Sequence, residues 1–96
     1  MVTKQWVVYG FMKAVGYEIG KERDGFPVVL QEVTMKASIE EIDELIAFLS
    51  YTKERHILER DQYNGKLDHT HLQDWCKEQG KALPDVDLII CTFFEE

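Results

Sequence analysis

The stretch Val28-Val29-Leu30-Gln31-Glu32-Val33-Thr34-Met35-Lys36-Ala37-Ser38-Ile39-Glu40-Glu41-Ile42 decides how this chain is read. Its first ten residues alternate. Val28, Leu30, Glu32, Thr34 and Lys36 share one side, and Val29, Gln31, Val33, Met35 and Ala37 share the other, as in a strand that leaves the centre of a sheet. Ser38-Ile39-Glu40-Glu41 then predicts a capping box. The Ser38 hydroxyl accepts the Glu41 amide while the Glu41 carboxylate reaches back to the Ser38 amide. Glu40, Glu41, Asp43 and Glu44 place negative charge at the positive end of the helix dipole. Ile42, Leu45, Ile46 and Leu49 follow at helical spacing, flanked by Ile39 and Phe48. A strand and a helix joined by one capping residue must fold back on each other, because neither buries its apolar side alone.

Upstream, Gln5 to Lys13 reads as strand one, with Gly10 as a bulge or close-approach point, and Val15-Gly16 reads as a turn. Tyr17-Glu18-Ile19 starts a second strand, and Asp24-Gly25 is a hairpin signal that delivers the chain to Phe26-Pro27. Downstream, the first helix runs towards Ile57 and Leu58, and Asp61-Gln62-Tyr63-Asn64-Gly65 carries the residues of an exposed loop. A second helix is expected to begin between Asp68 and Thr70, with Thr70 and Gln73 repeating the capping-box pattern and Asp68 as a competing cap. Leu72, Trp75 and Cys76 form its apolar side, and Gly80 is its natural stop. After Pro84-Asp85, the run Asp87 to Phe94 reads as a strand buried on both faces or beside a buried edge. The expected architecture is α+β, in the order β-β-β-α-α-β. It has a four-stranded, mostly antiparallel sheet, both helices on one face, and residues 1–96 in a single domain. The open face would carry Trp6 or Tyr9, Phe11 and part of the Phe93/Phe94 pair.

Composition narrows the function. Ninety-six residues suffice for one thin core. With 45% hydrophobic and 30% charged residues the chain is neither disordered nor membrane-spanning, and no apolar run approaches the roughly 20 residues of a transmembrane helix. The opening Met1 to Gly10 is too short in apolar residues for a signal peptide, so the cytoplasm is the expected compartment. The net charge is −7, and no cations cluster beyond the Lys21/Arg23 and Lys53/Arg55 pairs, which argues against a nucleic-acid partner. An acidic surface instead suits a basic protein partner. Cys76 and Cys91 stand far apart, outside any CxxC arrangement, and read as reduced structural thiols.

His69-Thr70-His71 is the one arrangement with the character of a metal site, since alternate residues of a strand share a face. Placed at a helix start, the two rings need not converge. Only Asp68, Asp74, Cys76 and His56 offer further ligands, and Asp68 or His69 serves equally as a helix cap while His71 packs locally. Cys76 with His69 or His71 makes a poor nucleophilic pair, because the thiol lies late in its helix beside Trp75. The paired carboxylates lie in solvated runs, and the glycines are spaced as turns rather than as a phosphate loop. The expectation is therefore a non-enzymatic chain with no cofactor and no metal. Trp6, Tyr9, Phe11, Tyr17, Tyr51, Tyr63, Trp75, Phe93 and Phe94 exceed what one thin core holds, and aromatics ringed by acids suit a protein interface. Glu41, Glu44, Asp61, Tyr63, Asp68, His69 and Asp74 are the expected partner-binding residues, with Tyr63 as the exposed anchor.

The order of Leu30 to Ile42, Phe48-Leu49, Asp68-His69-Thr70-His71-Leu72-Gln73-Asp74 and Asp87-Leu88-Ile89-Ile90 resembles a family of small bacterial polymorphic-toxin immunity proteins, over roughly Leu30 to Ile90. The resemblance implies a cytoplasmic antidote that blocks a toxin domain by occlusion, and it carries over no catalytic residue. Two other readings stand beside it: a small metal-binding domain using the His69/His71 pair, and a self-associating structural domain that pairs as a homodimer.

Overall fold

The computed structural model describes residues 12–21 and 25–94. The chain divides into two compact units, Met1–Lys36 and Ala37–Glu96. In the first, β1 (Ala14–Gly16) pairs antiparallel with β2 (Val28–Leu30), Ala14 opposite Leu30 and Gly16 opposite Val28. Gly16 sits close to Leu30: a Cβ on it would lie 3.2 Å from Leu30 Cδ1, so the leucine side chain would have to shift.

The second unit is built on α1 (Ile39–Gln62), 24 residues that span about 36 Å at 1.5 Å each. Its capping box forms as the sequence predicts. The Glu41 amide donates to Ser38 Oγ at 3.1 Å, and the Ser38 amide donates to Glu41 Oε1 at 2.7 Å. The helix ends at Tyr63, whose amide donates to the Glu59 carbonyl, and Asn64 turns the chain with φ 55°. Then follow β3 (Leu67–His71), α2 (Leu72–Glu78) and β4 (Ile89–Phe93). β3 and β4 pair antiparallel, with Leu67 opposite Phe93, His69 opposite Cys91 and His71 opposite Ile89. Gly80, at φ 72°, stops α2 where the sequence places the stop. The core is Phe48, Leu72, Trp75 and Cys76, with Leu45, Tyr51, Leu88 and Ile90 packed against it. Phe48 and Trp75 meet tilted at 5.8 Å between ring centres, and Lys81 covers Trp75 while it pairs with Glu44.

The architecture is α+β, but it is not one four-stranded sheet. The order is β-β-α-β-α-β, with two separate two-stranded sheets. Two local contests explain the difference. First, the expected strand through Ala37 ends at Leu30, and residues 32–37 take no regular structure. Their alternation is real, but they have no ladder partner among the described residues, and alternation without a partner does not make a strand. Second, a strand stands where the second helix was expected to start. Asp68-His69-Thr70-His71 pairs with the Ile89–Phe93 run, which satisfies its main chain along five residues. Only Leu72–Glu78 is left for the helix, which begins at His71 with no side-chain cap. The Thr70/Gln73 capping pattern is overruled, and the Gln73 amide donates to Asp87 instead.

Smaller corrections follow. Val15-Gly16 lies within β1 rather than in a turn, and Tyr17-Glu18-Ile19 forms no strand. Helix α1 includes Asp61 and Gln62. Strand β4 is not buried on both faces: Ile89, Cys91 and Phe93 are exposed, and Ile90 and Thr92 face inward. Of the helix stripe, Phe48 and Leu45 reach the core, while Ile39, Ile42, Ile46 and Leu49 remain exposed. Most of the expected first strand, with Trp6, Tyr9, Gly10 and Phe11, and Asp24 of the Asp24-Gly25 signal lie outside the described residues.

The capping box sets a first test. The hydrogen bond from the Ser38 amide, followed by the Ser38 hydroxyl, holds the Glu41 carboxyl below the ordinary carboxylate range. A carboxyl whose folded value is depressed contributes stability above its unfolded value and loses it as pH falls through the folded one. Urea unfolding of Ser38→Ala is expected to show a loss of about 1 kcal/mol. The deficit of Glu41→Gln against the parent is expected near pH 7 and should be smaller near pH 3, as the carboxyl moves towards its neutral form. An equal deficit at both pH values would refute the cap as its cause.

Candidate functional site

One imidazole bridges α1 to both strands of the β3–β4 pair. Phe48, Thr52 and His56, spaced four residues apart, line the side of α1 that is fully buried. His56 is 4% exposed. Its Nδ1 lies 2.7 Å from Thr92 Oγ1 on β4, and its Nε2 lies 2.9 Å from Thr70 Oγ1 on β3. Each hydroxyl can donate or accept, so either neutral tautomer satisfies both ring nitrogens. The inward-facing threonines are those that β-pleat alternation selects from Asp68-His69-Thr70 and Cys91-Thr92-Phe93. Asp68 also points inward, its Oδ2 3.8 Å from His56 Nε2, and its Oδ1 accepts the His69 amide.

Beside this junction a groove of about 560 Å³ runs between α1 and β4, lined by Leu49, Thr52, Ile57, Ile90, Phe93 and Phe94, with Lys53 and Arg60 also on its wall. Thr52 is 3% exposed, and its hydroxyl has no hydrogen-bond partner. Phe93 is 73% exposed. A pair of histidines lies on the outer face of the β3–β4 pair. His69 and His71 meet edge to face at 5.2 Å, and Asp87 holds both His71 Nδ1, at 2.6 Å, and the Gln73 amide. The HxH pair thus does lie on a strand, but among the described residues no three His, Cys, Asp or Glu side chains come together as a metal site.

The seven residues expected to bind a partner are dispersed, and most have work inside the fold. Glu41 closes the capping box, and Glu44 meets Lys81 at 3.3 Å. Asp61 chelates the neighbouring Arg60, whose hydrogen bond holds the Asp61 carboxyl down and its own guanidinium up. Asp68 belongs to the His56 junction. Tyr63, at 66% exposure, His69 and Asp74 project outward. Burial, joined by the carboxylates of Glu44 and Asp87, pushes the Cys76 thiol up, the opposite of an activated nucleophile. His56 is the residue that sequence reasoning undervalued, as no more than a supplementary metal ligand. The available signal was its place four residues after Thr52 and eight after Phe48.

No helix among the described residues is long and apolar enough to cross a membrane. No family model, no curated protein and no solved structure matches the chain.

Replacing the imidazole should strand two hydroxyls. His56→Phe is expected to lower unfolding stability by about 1–2 kcal/mol, since the half-buried Thr70 and Thr92 hydroxyls lose their shared partner. The triple variant with Thr70→Val and Thr92→Val should recover most of that loss, because the polar atoms leave together. Urea titrations in which the triple variant is no better than His56→Phe would contradict the bridge. Thr52→Val, which removes an unpartnered hydroxyl, is expected to be neutral or stabilising by up to about 1 kcal/mol.

Proposed function

We propose that this chain is a non-catalytic, cytoplasmic protein-binding domain that presents an acidic surface to a basic protein partner. In line with the resemblance to immunity proteins, it acts by covering a toxin's working surface. The observation that carries the reading is how the charge is distributed. Ala37–Glu96 holds fourteen of the chain's eighteen carboxylates but only six of its eleven cations. Two of those six, Lys81 and Arg60, are already paired with Glu44 and Asp61. The negative balance of the whole protein therefore resides in one compact unit built on α1. A unit of that sign draws a basic partner from a distance and gains mainly in association rate. Tyr63, beside Asp61 at the end of α1, adds the exposed aromatic that such contacts use as an anchor.

Co-purification with the product of the neighbouring gene tests this reading. A one-to-one complex is expected, with affinity falling about tenfold or more as salt rises from roughly 50 to 300 mM, because screening shortens the reach of the field. Asp74→Lys should slow association, and Tyr63→Ala should speed dissociation. An affinity indifferent to both salt and Asp74→Lys would defeat the charge-steered account.

A further inference from the structure

The main-chain pattern of the β3–β4 hairpin assigns a direction to every group on β4. The Phe94 amide donates to the Lys66 carbonyl, and the Leu72 amide donates to the Leu88 carbonyl. In an antiparallel pair, residues that exchange bonds alternate with residues that do not. With the register Asp68 opposite Thr92 and Thr70 opposite Ile90, the even-numbered residues of β4 turn their N–H and C=O groups towards β3. Ile89, Cys91 and Phe93 then turn theirs to the other edge, and no strand pairs there among the described residues. That edge lacks the usual protections. Ile89-Ile90-Cys91-Thr92-Phe93 contains no charge, no proline and no glycine. Beyond it lies the apolar groove floored by Leu49 and Ile57 of α1.

We propose that β4 pairs antiparallel with β4 of a second copy of this chain about a twofold axis at Cys91. The sequence of the strand fits itself in this register. Cys91 faces Cys91 of the other copy, and Ile89 faces Phe93 in both directions, so each outward amide and carbonyl on the two strands finds a partner. On the inner face Ile90 meets Thr92. The result is a continuous sheet in the order β3-β4-β4-β3, with both α1 helices on one side. A two-stranded hairpin is marginal alone, and four strands over two helices close the open edge without any new element. The contact is isologous, and it uses an uncharged strand of a strongly acidic unit, where two like-charged copies can meet. The pairing is separate from the proposed partner reading, which rests on the charged surface.

The test is sedimentation velocity of the full chain from about 1 to 200 µM, together with a thiol trap. The expected result is a concentration-dependent dimer that oxidised glutathione locks through Cys91. In that trap the two thiols give up two protons and two electrons to the glutathione disulfide and form one S–S bond between copies. Cys76, buried in the core, should stay unreacted, so Cys91→Ser should abolish the cross-link and leave the reversible dimer. Cys91→Lys and Phe93→Lys, both at exposed side chains, should give folded monomers by circular dichroism. A chain that stays monomeric over the whole range overturns the proposal. So does a dimer that survives both lysine variants and never cross-links at Cys91. A monomer whose β4 edge is taken by another protein's strand overturns it too.

Discussion

His56 is the constraint on which the Ala37–Glu96 unit depends. A helix of 24 residues and a hairpin of two five-residue strands have little reason to hold one orientation through apolar contact alone, because most of the α1 stripe is exposed. One ring, buried on α1, reaches a hydroxyl on each strand and fixes both at once. Polar contacts of this kind add little net energy when they are made and cost a great deal when they are half made. The junction therefore specifies geometry more than it supplies stability. It also places Asp68 beneath the sheet, near the imidazole, and leaves Asp74 and His69 outside.

From that junction the unit grows in two directions. Towards α2, Phe48 and Trp75 bury the helix against Leu72 and Cys76, and Lys81 seals Trp75 while it neutralises Glu44. Towards the outer edge of β4, burial stops. Leu49, Ile57 and Phe93 line an open groove, and the strand's own edge bears no charge. The two proposals assign the acidic surface and the β4 edge to different contacts. Long-range attraction belongs to the carboxylates and short-range adhesion to the strand. In the proposed assembly the two surfaces lie apart, so pairing of two copies would leave the acidic surface open to a second protein.

What could be read from the residues alone follows from how local each signal is. The Ser38 to Glu41 box lies within four residues and depends on nothing distant, and it forms as read. The Gly80 stop and the burial of Leu72, Trp75 and Cys76 are equally local. The two largest failures are questions of pairing. Thr34 to Ala37 alternates as a strand but has no described partner. Thr70-x-x-Gln73 carries a capping pattern but has a partner strand in Ile89–Phe93, and the ladder wins. A ladder is decided by residues some twenty positions away, which spacing within either segment does not reveal. His56 was hidden for the same reason, since its two hydroxyl partners sit on strands that only the pairing brings together. Of the residues expected to form a binding surface, charge was legible, but exposure was not for Asp68, which turns inward, or for the half-buried Glu44. Their internal engagements, Glu41 with Ser38 and Asp61 with Arg60, were legible only where the partner is a near neighbour in sequence.

Residue-resolved hydrogen exchange tests the central claim, that α1 and the hairpin are one cooperative unit locked at His56. The account predicts that the amides of Thr52 and His56 on α1 and of Thr70, Ile90 and Thr92 in the hairpin exchange slowest and at a common rate, and that His56→Phe releases all of them together. A hairpin whose amides exchange faster than those of α1, unaffected by His56→Phe, would contradict it.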